Sequence, residues 1–236
     1  MSDQRAEIIR GRLEVLRHAI DEWCRHYGRQ PAAVRLLAVS KTFPASDVAA
    51  AAAAGQRAFG ESYLKEALEK IAALRHLPLE WHFIGPLQSN KTRLIAEHFD
   101  WVQSLDRLKL AERLSAQRPA DRAPLNVLLQ VNISGEASKS GVALPELPAL
   151  AEAVRRLPRL RLRGLMAIPA PSRDFGAQRT AFRALHQAYR MLQEKGLALD
   201  TLSMGMSADL EAAIAEGSTL LRVGTGIFGP RRPKTG

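Results

Sequence analysis

One recurring order constrains this chain more than anything else in it. A short apolar, strand-like segment is followed by a helix-like one, eight times over. The strand-like segments fall at 36–40, 57–59, 81–84, 101–103, 126–131, 163–166, 201–203 and 220–223. Between them, Leu147, Leu150, Val154 and Leu157, and again Phe182, Leu185, Tyr189 and Leu192, recur at spacings of 3, 4 and 3. That spacing places each set on one face of a helix. Strands alternating with helices pair in parallel through right-handed crossovers. Eight such units close into an α/β fold of the (β/α)8 TIM-barrel type; a doubly wound open sheet is the alternative with the same alternation. An extra helix precedes the first strand, with Ile9, Leu13, Leu16, Ile20 and Trp23 on one face. The expected organisation is a single domain over 1–236, with the N-terminal helix at about 3–28 and the barrel at about 34–230. The 236 residues suit one such barrel, since these folds often run to ~200–250 residues.

Composition removes several classes. The single cysteine, Cys24, excludes an internal disulfide framework and a Cys-rich zinc site. The six histidines show no metal-ligand spacing, so no metal is expected. The longest uninterrupted apolar run, 48–54, is far short of the ~20 residues of a membrane helix. The N-terminus breaks its apolar residues with charges every few positions, unlike a signal peptide. A soluble, cytoplasmic protein with no membrane partner is expected.

The 34 Lys and Arg against 24 Asp and Glu give a net charge of +10, which raises nucleic-acid binding. The distribution argues against it. Arginines outnumber lysines 26 to 8 and are spread over nearly every segment. Their densest cluster, 155–163, alternates Leu160 and Leu162 with arginine, as at the start of a half-buried strand. No aromatics are interleaved for base stacking. A solvated basic surface and no nucleic-acid partner are expected. The scarcity of lysine also makes each lysine at an unusual position conspicuous.

Chemistry in such a barrel belongs at the C-terminal ends of the strands. The first strand runs directly into Lys41, then Thr42-Phe43-Pro44. A desolvated lysine forms imines with carbonyl groups; the same position also suits a lysine snorkelling to solvent at the rim. The last strand carries Arg222 and runs into Gly224-Thr225-Gly226-Ile227-Phe228-Gly229. This is literally G-x-G-x-x-G, but it follows the last strand, and only seven residues remain for the acidic ribose partner expected ~20 residues on. The Rossmann reading is therefore rejected. What survives is local: Gly224 and Gly226 let backbone N–H groups approach an anion, and Thr225 adds a hydroxyl. A plain glycine-rich exit turn is the alternative.

The seventh strand is followed by Met204-Gly205-Met206-Ser207-Ala208-Asp209, where Ser207 suits a helix N-cap. Loops after the seventh and eighth strands are where barrels commonly build a phosphate site. A phosphate there, with a lysine at the end of the first strand, describes a ligand holding both a phosphate and an aldehyde. That ligand is pyridoxal 5′-phosphate (PLP). Arg222 fits its pyridine nitrogen, as one of the usual partners there; an arginine bound to a barrel carboxylate is the alternative. On the third strand, His82 and Ile84 share one side and Trp81 and Phe83 the other. His82 thus either lines the interior near the ring or is a hydrogen-bonded core histidine.

Several strings carry a resemblance. Leu37-Ala38-Val39-Ser40-Lys41-Thr42, Phe59-Gly60-Glu61, Trp81-His82-Phe83-Ile84-Gly85-Pro86-Leu87-Gln88-Ser89-Asn90-Lys91, Leu202-Ser203-Met204-Gly205-Met206-Ser207 and Arg222-Val223-Gly224-Thr225 resemble the YggS/PROSC family of pyridoxal phosphate homeostasis proteins. The match runs from about residue 8 to Arg231. The resemblance implies a barrel like the N-terminal domain of bacterial alanine racemase and an imine between PLP and Lys41. It implies that Ser207, Gly224 and Thr225 hold the phosphate, with Met206 contributing backbone, and that Arg222 faces the ring nitrogen. It further implies a protein of vitamin B6 homeostasis that stores and delivers PLP without established catalysis, with PLP-dependent apo-enzymes as transient partners.

This chain departs from the family pattern twice. Ser62 stands where the family often has Asn, and Phe43 where it often has a second lysine. Lys139 is the remaining matching lysine, with Lys234 at the tail. The enzyme alternative is a PLP-dependent amino-acid racemase. A two-base racemase needs an acid/base on each face of the imine, the second being a tyrosine from a C-terminal domain that this chain is not expected to contain. Tyr27, Tyr63 and Tyr189 are all expected in helices, and only Tyr63 lies near a strand end. A closed barrel needs no partner, so a monomer is expected.

Overall fold

In the computed structural model, residues 3–134 and 140–230 are described; Lys139 and Lys234 lie outside them. The chain forms a closed barrel of eight parallel strands in sequence order. They are β1 (Arg35–Val39), β2 (Ala58–Glu61), β3 (Glu80–Phe83), β4 (Trp101–Leu105), β5 (Leu125–Gln130), β6 (Leu160–Met166), β7 (Thr201–Ser203) and β8 (Leu220–Val223). β1 pairs with β8 from Arg35↔Leu220 to Ala38↔Val223, which closes the ring. The open sheet is excluded. All eight strand positions read from the sequence are occupied; β7 and β8 have the bounds expected, and the other six have shifted ends. β6 starts at Leu160 rather than 163, so the Leu–Arg alternation there is itself strand. β4 continues to Leu105 through an irregularity in its pairing with β5.

Nine helices accompany the strands among the described residues: α1 (Asp3–His26), α2 (Ala45–Ala53), α3 (Leu64–Ala73), α4 (Thr92–His98), α5 (Leu108–Gln117), α6 (Leu147–Arg155), α7 (Phe175–Glu194), α8 (Leu210–Ala215) and α9 (Thr225–Phe228). The apolar faces expected for α6 and α7 are the faces they bury. Phe182, Leu185, Tyr189 and Leu192 are all inside, and Leu147 and Val154 are buried with Leu150 and Leu157 packed beside them. On α1 the most buried residues are Ile9, Leu13, Ile20 and Cys24, with Trp23 only partly covered. The helix lies over α2, α8 and α9 and so covers the seam where β1 meets β8. Arg5 staples it there, donating to Asp47 Oδ2 on α2 at 2.5 Å and to the Phe228 carbonyl on α9 at 2.8 Å. No helix among the described residues is long and apolar enough to cross a membrane.

Period-2 alternation sends successive side chains to opposite faces of each strand. The outward set, including Ala38, Phe59, Trp81, Phe83, Val102, Leu129, Leu202 and Val223, joins the large core between barrel and helices. The inward set is smaller and partly polar. Leu37, Ala58 and Leu220 pack with Ile84, and Trp101, Leu128 and Met166 form a second cluster. His82, Gln103, Ser203 and Arg222 alternate with outward apolar neighbours and are buried too.

Candidate functional site

Lys41 follows β1 at the C-terminal rim and is half-buried. Its backbone is held from both sides by one ion cluster on α3 and β2. Lys70 Nζ donates to the carbonyl of Ser40 at 2.8 Å, to Glu61 Oε1 at 2.7 Å and to Glu66 Oε1 at 2.6 Å. Ser40 Oγ donates to Glu61 Oε1 at 2.6 Å, and the N–H of Thr42 donates to Glu66 Oε1 at 2.6 Å. Residues 40 and 42 are therefore both tied to the cluster that lies behind Lys41. Thr42 has φ 71, a conformation that costs a β-branched residue of order 1–3 kcal/mol and persists only where its surroundings impose it. Burial pushes the Glu61 carboxyl up, against the opposing pull of Lys70 and Ser40.

The glycine-rich exit leaves β8 at the same height. Lys41 stands three residues after Ala38, and Gly226 three after its partner Val223. A Cβ on Gly224 would sit 3.2 Å from the Val39 carbonyl, so the two strand ends lie in close contact. A Cβ on Gly226 would lie 3.7 Å from Ser207 Oγ, which brings the loops after β7 and β8 together. The Ile227 and Phe228 N–H groups bond back to the Gly224 carbonyl, leaving those of Thr225 and Gly226 ahead of the helix's own ladder. Ser207 and Thr225 are exposed, and Met206 and Gly224 half-buried.

Ser207 is not the N-cap of the next helix: α8 begins at Leu210, with Asp209 in the cap position. The polar run 205–209 spends its residues on a turn in which the Met206 N–H donates to Asp209 Oδ1 at 2.5 Å. Gly205, at φ 96, makes that turn, and a Cβ there would sit 2.5 Å from Ala213 Cβ. Burial raises the Asp209 carboxyl, and the charge of nearby Arg222 opposes the rise.

Arg222 points into the barrel and is buried. Its Nη1 donates to Ser203 Oγ at 2.7 Å and its Nη2 to the Ala167 carbonyl at 2.9 Å. Its hydrogen-bond partners are thus a hydroxyl and a carbonyl, not the carboxylate of the alternative reading. Burial pulls its pKa down to about 10, which leaves it charged at neutral pH. His82 is an inward-facing, hydrogen-bonded core histidine: it contacts Gln103 and Glu80 and stacks on Trp101 with ring centroids 5.0 Å apart.

Phe43, at the position of the family's second lysine, is buried with its ring 5.0 Å from that of Phe228. It therefore packs the end of β1 against α9. Tyr63 stands at the N-cap of α3 and Tyr27 just past the end of α1, so neither is in a helix as expected. A cleft of about 1050 Å³ lined by Arg12, Phe43, Lys70 and Phe228 opens outside the barrel, and Lys41 is not among its lining residues. The sequence reading missed Lys70, Glu66, Gln103 and Asp209. Lys70 had a signal: it continues the buried stripe of Leu64, Ala67 and Leu74 on α3, where a lysine needs a partner.

A closed parallel barrel with an amine at the end of its first strand and a buried guanidinium on its last defines a class. The model of the alanine racemase N-terminal domain matches residues 12–232. A pyridoxal phosphate homeostasis protein of Pseudomonas aeruginosa is 66% identical over 86% of this chain and 87% of its own length. One from Escherichia coli is 56% identical over 93% and 95%. The structure of PipY from Synechococcus elongatus with PLP bound superposes at a TM-score of 0.83, with 39% identity over 94% of this chain and 100% of that one. Alanine racemase from Corynebacterium glutamicum shares the fold at a TM-score of 0.65 and 19% identity, over 94% of this chain and 63% of that one. The chain belongs to the alanine racemase N-terminal-domain family, and within it to the pyridoxal phosphate homeostasis proteins.

Proposed function

We propose that this protein binds pyridoxal 5′-phosphate at the C-terminal mouth of the barrel and holds it for storage or delivery in vitamin B6 homeostasis. The observation that carries the proposal is convergence: Lys41, the buried Arg222 and the paired loops after β7 and β8 meet at one end of the barrel. The residues fit the group. An amine, a run of N–H and hydroxyl donors, and an interior guanidinium match an aldehyde, a phosphate and a ring nitrogen. When bound, the cofactor supplies an aldehyde with which the Lys41 amine condenses as water leaves.

Thr225, Gly224 and Ser207 would hold the phosphate, with Met206 beside them. The Met206 N–H is committed to Asp209, so its part is to shape the loop or to exchange partners on binding. Arg222 donates only and cannot hand a proton to the ring nitrogen. That arrangement holds the cofactor well and makes it a weak electron sink, which supports a carrier without turnover. It acts on PLP itself, with apo-enzymes as transient recipients and the protein a monomer in the cytoplasm.

Lys41→Ala is expected to abolish the visible absorption of the loaded protein and the borohydride-trapped mass on the peptide containing residue 41. Retention of the full band would sink the assignment. The wild type is expected to show no sustained racemisation of alanine, and many turnovers per site would replace the carrier reading with the enzyme one.

A further inference from the structure

The inward faces of the strands carry a polar chain that the binding reading leaves without a role. Arg222 Nη1 donates to Ser203 Oγ at 2.7 Å, and Ser203 Oγ to Gln103 Oε1 at 2.7 Å. Gln103 Nε2 lies 2.9 Å from His82 Nδ1, and His82 Nε2 lies 2.7 Å from Glu80 Oε1. Arg35 Nη2 reaches the same Glu80 oxygen at 2.5 Å. The chain crosses the barrel from β8 through β7, β4 and β3 to β1. Arg222, Ser203, Gln103 and His82 are buried, whereas Glu80 and Arg35 are the first residues of their strands and open to the opposite rim.

With His82 neutral, one placement of protons satisfies every contact. Glu80 is an acceptor: burial would raise its carboxyl, but His82 and Arg35 together hold it down at about 2. His82 Nε2 therefore carries the proton. Burial pushes the imidazole toward its neutral form, with Glu80 and the more distant Asp100 opposing and Arg35 assisting, so Nδ1 is an acceptor. Gln103 then turns its amide NH2 to His82 and its carbonyl to Ser203. Ser203 must give its proton to that carbonyl, which leaves its lone pairs for Arg222. With the chain reversed, Ser203 Oγ would accept from both Gln103 and Arg222, and its proton would be left with no acceptor in the chain. His82 would then have to carry both protons, which burial opposes. The stack of His82 on Trp101, 9° from parallel, fixes the ring plane on which this order depends.

We propose that this chain is a polarity lock: Glu80 and His82, through Gln103 and Ser203, hold the Arg222 guanidinium in place as a donor to the ring nitrogen of the cofactor. Gln103 and His82 are positioning residues, acting through Ser203 and touching no ligand. The proposal rests on the PLP reading for the ligand and on the described contacts for the lock.

The test titrates full-length wild type, Ser203→Ala and Gln103→Met with PLP, follows the visible band against pH, and traps the adduct with borohydride. Both variants are expected to keep the adduct on Lys41, to bind PLP about tenfold more weakly, and to shift the pH midpoint of the band. A merely structural role would lower the melting temperature and leave that midpoint alone. Should Gln103→Met fail to fold, Ser203→Ala, which removes one oxygen, decides the outcome. Wild-type affinity and midpoint in the folded variants would overturn the lock. The 15N spectrum of the cofactor-free protein is expected to show His82 as a neutral Nε2–H tautomer at neutral pH; an Nδ1–H tautomer or an imidazolium there would also overturn it. A wild type that forms no Lys41 adduct brings down the cofactor reading and the role of the lock with it. Variants unchanged beside a wild type that does form it bring down the lock alone.

Discussion

On the β1–β2 flank of the mouth the buried polar groups are ions, and they lie outside the sheet. Lys70, Glu61 and Glu66 sit between the barrel and α3, and their targets are backbone: the carbonyl of Ser40 and the N–H of Thr42. On the β7–β8 flank the buried guanidinium of Arg222 lies inside the sheet and bonds a hydroxyl and a carbonyl. The first arrangement fixes where a residue sits; the second fixes which way a side chain points. An ion pair tolerates a change of angle, because attraction between charges depends mainly on distance. A chain of hydrogen bonds has a direction, since each neutral member between its charged ends is donor on one side and acceptor on the other. On the proposed cofactor reading Lys41 has to be placed and Arg222 oriented, and each flank has the chemistry suited to that task.

The strongest way to break that comparison is on the ionic flank. Lys70→Met leaves Glu61 buried without its cation, and breaking a buried pair in this way costs about 3–5 kcal/mol. Denaturant unfolding of the variant is expected to show a loss of that order, and Lys70→Met combined with Glu61→Gln to recover a good part of it. A loss of about 1 kcal/mol or less, as for a surface pair, would show that the cluster is not what holds the strand end. On the opposite flank the expected damage is to binding. Thr225→Ala removes an exposed hydroxyl and should weaken PLP binding by about 1–3 kcal/mol with unfolding unchanged. Equal affinity in an equilibrium titration would place the phosphate elsewhere.

The two flanks also differ in how far the sequence exposes them. Lys41 and the Gly224–Gly226 loop could be found because each directly follows a strand, and in a barrel that is where chemistry is sought. Arg222 is proposed for the ring nitrogen because it lies on the strand that runs into that loop. The contact between Ser203 and Gln103 joins residues 100 positions apart, and only the register of a closed eight-strand barrel brings them together. No local pattern encodes it. Lys70 was legible in principle, as a lysine in the apolar stripe of α3, although its three partners were not. The strands themselves were read from apolar alternation, and their ends slipped where alternation and pairing part company. β6 begins among arginines at 160–163, and β4 runs past an irregular register to Leu105. The polar loop at 205–209 misled for a related reason. Ser207 has the chemistry of a cap, but the turn made by Gly205 and Asp209 moves the cap of α8 two residues on, to Asp209.

The smallest expected effect links the flanks, because the neutral histidine at the middle of the barrel makes stability depend on pH. Burial holds His82 below its ordinary value of 6.5 in the folded protein, while in the unfolded chain it takes up a proton near that value. Below about pH 6.5 the unfolded state therefore binds more protons than the folded one, and stability falls as pH falls toward the folded value. The slope cannot exceed about 1.4 kcal/mol per pH unit for one group, so lowering the pH from about 6.5 to 5.5 should cost at most about 1 kcal/mol. Glu80, held at about 2, adds its own loss only below its ordinary value of 4.5 and leaves this interval to the histidine. The measurement is the melting temperature of wild type and His82→Gln across that interval, where the other histidines are common to both proteins and drop out of the difference. The wild type is expected to lose more than the variant. Parallel curves would mean that His82 is charged inside the barrel, and the direction of the chain that ends on Arg222 would then have to be drawn the other way.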